Sequence, residues 1–220
     1  MELFDAMRTT FSAREFTTDP LPDATLAKIL DKARFAPSGG NRQGWAVIVV
    51  RDMKTREALA ELTKPAAKRY TAQQQLKENP FNTIVPTRAD AATIAQTEPM
   101  FRLIEPVLKA AVVLVICVDL RVVASTDQEL SRIGVISGAS IYPFAWNILL
   151  AARNEGFGGT ITTMAVAEEP RVRELFGVPD DYAVACVLPL GKPVRQLTRL
   201  TRASVEDLTR LESWDGGPLR

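Results

Sequence analysis

Apolar positions along this chain follow two rhythms, and the change from one to the other marks the elements. After Asp23, a capping residue, the residues Leu26, Ile29, Leu30 and Ala33 keep the i, i+3, i+4, i+7 spacing of an amphipathic helix that stops before Pro37. The loop APSGGNRQGW follows, and then WAVIVVR (Trp45 to Arg51), a run apolar enough for a buried strand. Met53 to Leu62 returns to a helical pattern. AAVVLVICVD (Ala110 to Asp119) is the strongest strand in the chain, too β-branched for a good helix. Ser131 to Asn154 holds the strongest helix. Ile141, Phe144, Ala145, Ile148, Leu149 and Ala152 keep helical spacing there, and Ala139, Trp146 and Leu150 make the opposite face apolar as well. A helix this apolar is buried on several sides, in a core or at a subunit interface. A glycine loop, GFGGTIT (Gly156 to Thr162), leads to a short helix at Glu168 to Phe176 closed by Gly177, and then to the strand YAVACVLPLG (Tyr182 to Gly191).

Two stretches break the rhythm. Between Thr63 and Glu105 the pattern is interrupted by Pro65, Pro80, Pro86 and Pro99 and by the polar tract TAQQQLKEN. Short helices with long connections, forming a lid or cover, are expected there. From residue 203 onward the chain is a tail with a short helix beginning at Ser204, with Val205, Leu208 and Leu211 on one face. Neither repeat nor linker divides the chain, so residues 1–220 are read as one α+β domain.

Composition narrows the chemistry more than the fold. The 220 residues are 46% hydrophobic and 24% charged with a formal net charge of +1, an ordinary globular balance without the basic excess of a nucleic-acid binder. The longest apolar run, Ala110 to Val118, is too short to span a bilayer, and the N-terminus lacks the pattern of a secretory signal; a cytoplasmic location is expected. The two cysteines, Cys117 and Cys186, sit inside strand runs as small core residues, and no metal site is expected. Histidine is absent. That removes Ser-His, Cys-His and His-metal mechanisms together, so a cofactor would carry the chemistry of an enzyme built on this chain.

Four segments carry candidate chemistry: FSAREF near the N-terminus, PSGGNRQGW, GFGGTIT, and the basic stretch GKPVRQLTRLTR. A flavin mononucleotide needs cations and hydroxyls at its phosphate and donors or positive charge at the N1 and O2 edge of its ring. It also needs a donor near N5 and small residues beside the ring. The four segments can supply all of these. Each also has a plainer reading: Ser38 as a turn cap, Asn41 as a bond to its own loop, the glycines at 158 and 159 as a helix end and turn, the tail arginines as solvated charge.

These segments resemble the FMN-dependent nitroreductase family. SAREF with DPLP is similar to its N-terminal phosphate motif. ILDKARFAPSGGNRQGW is similar to its helix, Ala-Pro-Ser, Asn-x-Gln and Trp signature. GASIYPFAWNILLAARNEGFGGTITT is similar to its central helix and glycine loop, and LFGVPDDYAVACVLPLGKP to its last helix-to-strand unit. The resemblance runs from about Arg8 to Arg202 and is thin between 63 and 105. It implies an α+β fold with a mostly antiparallel central sheet wrapped by helices, assembled as a homodimer with FMN at the interface. The implied cofactor-binding residues are Ser12 and Arg14 at the phosphate, helped by Arg202 or alternatively Arg199. Ser38, Asn41 and Gln43 fall at the ring and ribityl chain, and Gly158, Gly159 and Thr160 at the N5 and O4 edge. The implied reaction is ping-pong: NADPH or NADH gives a hydride to flavin N5, and an electron-poor small molecule (nitroaromatic, quinone or activated alkene) takes the reducing equivalents, without a catalytic side chain. Dehydrogenation, dehalogenation or flavin breakdown on the same scaffold is an alternative, as is a flavin binder without turnover. Phe11 favours the last, because it stands where the motif often has a second arginine; Arg8 could compensate.

Overall fold

The computed structural model describes residues 1–219. Runs of β-branched residues become strands: β1 (Trp45–Val50), β2 (Val112–Asp119), β3 (Gly158–Gly159) and β4 (Tyr182–Gly191). They form a single sheet in the order β1-β2-β4-β3, with every neighbouring pair antiparallel. The helices are α1 (Leu3–Thr9), α2 (Asp23–Ala33), α3 (Met53–Gln75), α4 (Ala91–Gln96), α5 (Glu105–Lys109), α6 (Tyr142–Asn154), α7 (Glu169–Phe176) and α8 (Val205–Leu208). This is the expected antiparallel sheet wrapped by helices. Among the described residues no helix is long and apolar enough to cross a membrane.

β2 is buried along its whole length, which is why its sequence is apolar at every position rather than at alternate ones. Its side chains still alternate between the two faces. Val112, Leu114 and Ile116 pack with α2 and α6 through Leu26, Ile29, Phe144, Ile148 and Ala152. Val113, Val115 and Cys117 pack on the other face with Leu59, Val107 and Val172 from α3, α5 and α7. Each such aliphatic side chain contributes about 1.5–3 kcal/mol on burial. Both cysteines are buried and unpaired; loss of water around them pushes the Cys117 thiol up to about 11 and the Cys186 thiol up to about 12.

Four boundaries differ from the reading of the sequence. α3 does not end at Leu62 but continues through Pro65 to Gln75. Pro65 is exposed, so its ring meets solvent, while Leu62, Thr63, Ala66, Ala67 and Thr71 carry the buried stripe onward. An interior proline costs about 3 kcal/mol, and this burial offsets it. Arg56, buried on the same helix, donates to the carbonyls of Val107 (2.8 Å) and Ala110 (2.6 Å) and ties α3 to α5. The second refinement is α6, which fills only Tyr142–Asn154 of the Ser131–Asn154 stretch, with a separate tight turn at Ile136–Ser140 before it. Pro143 can occupy the first turn of a helix but not its interior, so it sets the start. Third, Asp23 is the first helical residue, not the cap; Pro22 takes the cap position and Asp23 pairs with Arg51 at 2.6 Å. Last, α8 is a single turn. Ser204 and Asp207 form a reciprocal capping pair, but Val205, Leu208 and Leu211 are exposed.

Candidate functional site

The expected site residues fall in three places. The first lies where the N-terminal segment meets β3. Ser12 pairs with Gly159, and the amide of Ala13 donates to the Gly159 carbonyl at 2.9 Å. The segment then runs on beside the end of β4, with Thr17 N donating to Lys192 O and Val194 N to Glu15 O. Extended chain alternates its side chains, so Ala13 is buried while Ser12 and Arg14 share the outward side. The glycine at 159 has a packing reason: a Cβ there would sit 2.3 Å from the Pro189 carbonyl oxygen. Gly158 and Gly159 are therefore a strand rather than a helix end.

Arg14 and Thr160 open onto a cavity of about 130 Å³ that also takes in Tyr70, Arg102 and Thr162. Thr160 is 2% exposed, and its hydroxyl has no hydrogen-bond partner. Such an orphan costs about 1–3 kcal/mol unless something bonds to it. Among the described residues neither Arg14 nor Arg102 forms an ion pair; the Arg14 guanidinium reaches only its neighbour's carbonyl, Ser12 O, at 3.3 Å. Loss of water, and then the charge of Arg102, lower the Arg14 pKa from its ordinary value, though an arginine stays cationic near neutrality. The corner is electropositive, and its buried hydroxyl lacks a partner.

Ser38, Asn41 and Gln43 lie elsewhere, in the loop that feeds β1. Here the polar groups satisfy one another. Gln43 N donates to Ser38 Oγ (2.9 Å), and Gln43 Nε2 donates to Asn41 Oδ1 (3.2 Å) and O (3.3 Å). The loop is pinned to the segment before α6: Gly39 N donates to Ser140 Oγ (3.0 Å) and the Trp45 indole to Ser140 O (2.6 Å). The Trp45 ring stacks on Phe144 at 4.7 Å. Asn41 (φ 53°) and Gln43 (φ 51°) are both left-handed, a conformation Asn tolerates and Gln rarely adopts. Both side chains are exposed.

Strand register sets the distance between the two places. Trp45 lies opposite Val118 near one end of β2, whereas Gly159 lies opposite Leu190, which lies opposite Val112 at the other end. Within one chain the loop and the Arg14 cavity sit at opposite corners of the sheet, about 20 Å apart along the strands and about 14 Å across them.

Arg199 and Arg202 occupy a third place. With Asp5, Arg8 and Thr9 they line a cavity of about 540 Å³ that Arg14 does not enter. Arg8 is engaged by Asp5 at 2.7 Å, and Arg202 by the carbonyl of Thr201 at 2.7 Å. Gln196 and Arg153 fasten Thr9 at its wall through the Thr9 carbonyl (3.0 Å) and hydroxyl (3.1 Å). From Thr9 to Arg14 is five residues, about 16 Å of extended chain. One strip of chain thus carries a basic cavity at each end, a donor set suited to a long ligand with negative charge at two points.

Arg102 and Tyr70 escaped the reading of the sequence. They come from the proline-interrupted stretch and reach the cavity by long-range packing; neither stands in a motif. Arg153 and Gln196 were missed although both stand in quoted segments, because their contacts with Thr9 are long-range.

The nitroreductase family pattern matches residues 7–192. The chain is 28% identical over 185 residues to an NADH dehydrogenase of Thermus thermophilus, spanning 84% of this chain and 83% of that one. Its fold is similar to that of the NADPH:FMN oxidoreductase of Vibrio harveyi, solved in complex with NAD+, with a TM-score of 0.67 at 22% identity, covering 97% of this chain and 78% of the other. It is also similar to an oxidised iodotyrosine deiodinase solved with FMN and 3-iodo-L-tyrosine, with a TM-score of 0.69 at 20% identity, covering 97% of this chain and all of that one.

Proposed function

The chain belongs to the nitroreductase family of oxidoreductases, and on that premise we propose that it binds FMN between two copies of itself and uses NADPH or NADH to reduce an electron-poor small molecule. When bound, FMN supplies the two-electron chemistry, accepting a hydride equivalent from the nicotinamide and passing the electrons to the acceptor. The observation that carries this reading is the division of the expected site between two corners of one sheet. The Arg14 cavity, about 130 Å³, is too small to enclose a ligand of this size, which needs at least about 300 Å³. A second copy related by a twofold axis would bring its own 38–43 loop to that cavity and close it. Exposed apolar side chains on α1 and α6, two helices that pack together, suit such a partner. Leu3, Phe4 and Met7 on α1 are exposed, as are Tyr142 and Trp146 on α6.

The residues of this chain then take distinct tasks. The basic cavity of Arg8, Arg199 and Arg202 would hold the phosphate, with Ser12 further along the same strip. Phe11 removes one charge from the motif, and Arg8 would stand in for it. Arg14, expected at the phosphate, does not line that cavity and would instead serve the ring, where the unpartnered Thr160 hydroxyl could donate. The partner's Ser38, Asn41 and Gln43 would cover the opposite side with amides that both donate and accept. The transfer itself needs no side chain as an obligatory base. The test is the visible absorption spectrum of the purified protein before and after anaerobic NADPH, with NADH as comparison. A flavin spectrum that bleaches is the expected result. A colourless protein that takes up no added FMN would overturn the reading. Product analysis over nitroaromatics, quinones, activated alkenes and a halotyrosine would then identify the acceptor.

A further inference from the structure

We propose that the loop following α3, residues 77–88, holds a small carboxylate ligand, an acid with an apolar body of about the size of phenylpropanoate. The proposal goes beyond the flavin reading and does not depend on it. The cavity concerned has a volume of about 370 Å³ and shares no lining residue with the Arg14 cavity. That volume lies in the range of small-molecule sites.

The hydrogen bonds of this loop use up its acceptors and leave donors over. Glu78 accepts from Thr87 Oγ1 (2.6 Å), Arg88 N (2.7 Å) and Arg88 Nε (3.3 Å). The Thr87 bond, and then the bond from the Arg88 amide, hold its carboxyl below the ordinary value, so it stays ionised and paired with Arg88. Asn82 Oδ1 accepts from both Ile84 N (2.7 Å) and Val85 N (2.8 Å), which leaves Nδ2 as its spare group. Gln73 carries the argument furthest. It is 3% exposed and lines the cavity. Its Oε1 accepts from Phe81 N at 3.0 Å, and that bond fixes which way the amide points. Among the described residues its Nε2 has no hydrogen-bond partner, and that nitrogen is not sealed in the core but opens onto the cavity. The chain supplies no acceptor for it.

Lys77 supplies the charge. It stands just past the end of α3, where Glu78 N donates to Gln73 O and Lys77 N to Gln74 O, both at 2.9 Å. Glycine is the usual residue at such a position because the backbone is left-handed, and Lys77 has φ 58°. Folding alone would favour glycine there; the lysine adds its charge. Among the described residues its ammonium forms no ion pair, although it lines the cavity. Val85, 64% exposed, and Pro86 make the apolar wall. One ammonium and two amide donors match the single charge and two oxygens of a carboxylate. A phosphate dianion carries more charge than one lysine meets, and a neutral ligand leaves the lysine unpaired.

The experiment titrates the protein as purified with phenylpropanoate by calorimetry, beside the neutral phenylpropanamide and inorganic phosphate. Saturable uptake of the acid, and of neither comparison compound, is expected. Lys77→Gly should bind the acid about tenfold more weakly and yet melt at a higher temperature, because it relieves the left-handed lysine. A side chain with only a structural role would not separate the two readouts in that direction. Lys77→Arg should keep most of the affinity. Gln73→Glu keeps the acceptor for Phe81 N but puts negative charge in place of the spare donor, so it should lose binding. The remote surface variant Arg171→Gln should bind as wild type does. The proposal fails if wild type takes up no acid at millimolar concentration, if the amide or phosphate binds as tightly, or if Lys77→Gly binds the acid unchanged. An acid seated at the flavin instead would shift the flavin absorption and ignore Lys77, which sinks this proposal and leaves the FMN reading standing.

Discussion

The two corners of the sheet are built on opposite principles. At the Arg14 corner the backbone is anchored, with the N-terminal segment hydrogen-bonded to Gly159 and Lys192, while the side chains are left wanting: two unpaired arginines and a buried hydroxyl without a partner. At the 38–43 corner the side chains bond to one another and the backbone bears the strain, with Asn41 and Gln43 left-handed. The first arrangement costs free energy until something fills it. The second holds amides in a fixed, exposed array at a conformational cost already met. A rigid cradle with unmet polar needs, set against a strained but self-satisfied lip, is what two halves of one site need if each copy supplies one half.

The largest effect expected is from separating the halves. Arg14→Ala and Gln43→Ala proteins should each lose most FMN-dependent turnover. In a twofold dimer, co-expressed chains form mixed dimers in which one site pairs an intact cavity with an intact loop, so about a quarter of the sites should recover. Activity of the mixture no higher than that of either parent would show that the corners do not meet. The next effect isolates the unmet hydroxyl. Thr160→Val keeps shape and deletes the orphan, so the cofactor-free protein should gain about 1–3 kcal/mol in denaturant unfolding while FMN affinity falls. Lower stability without FMN would mean that Thr160 is already satisfied.

How much of this was legible in sequence follows from the range of each interaction. β2 and β4 could be read because a strand buried on both faces is apolar throughout. α3 was cut short because an interior proline usually ends a helix, and only the tertiary burial of Ala66, Ala67 and Thr71 overrides it. The residue types of both corners were readable, since Ser12, Arg14, Asn41 and Gln43 stand in compact motifs. Their separation was not, because it depends on the pairing of Trp45 with Val118 and of Gly159 with Leu190. The same holds for the placement of Arg199 and Arg202 away from Arg14, and for Arg102, whose meeting with Arg14 depends on the packing of α3 and α5.

A smaller effect tests the strained lip. Gln43→Gly removes a left-handed strain of roughly 1–2 kcal/mol but adds chain entropy of about 0.5–1 kcal/mol and deletes the Gln43–Asn41 bonds. These nearly cancel, so Tm should hardly move while turnover falls. A large drop in Tm would mean that the amide is structural.

The smallest effect is confined to acid, and it separates the corners by charge. The loop after β2 is held by Asp127, 3% exposed, whose carboxylate accepts from Val135 N (2.7 Å), Arg132 Nη1 (2.7 Å) and Ser125 Oγ (3.1 Å). These bonds, the backbone amide first, hold the carboxyl far below its ordinary value of 3.8. This loop adjoins the 38–43 corner, where Arg42 reaches Val122 O at 3.5 Å. A depressed carboxyl contributes stability that is fully present above the unfolded value and is lost as pH falls through the folded one. Below about pH 3.8, therefore, the 125–135 segment should open progressively, read as pepsin cleavage appearing there first. The cavity of Arg14 holds no carboxylate, so residues 158–162 should stay protected through the same interval. Cleavage beginning at 158–162 would reverse the assignment. Asp127→Asn cleaved at 125–135 with unchanged pH dependence would show that Asp127 is not the group responsible.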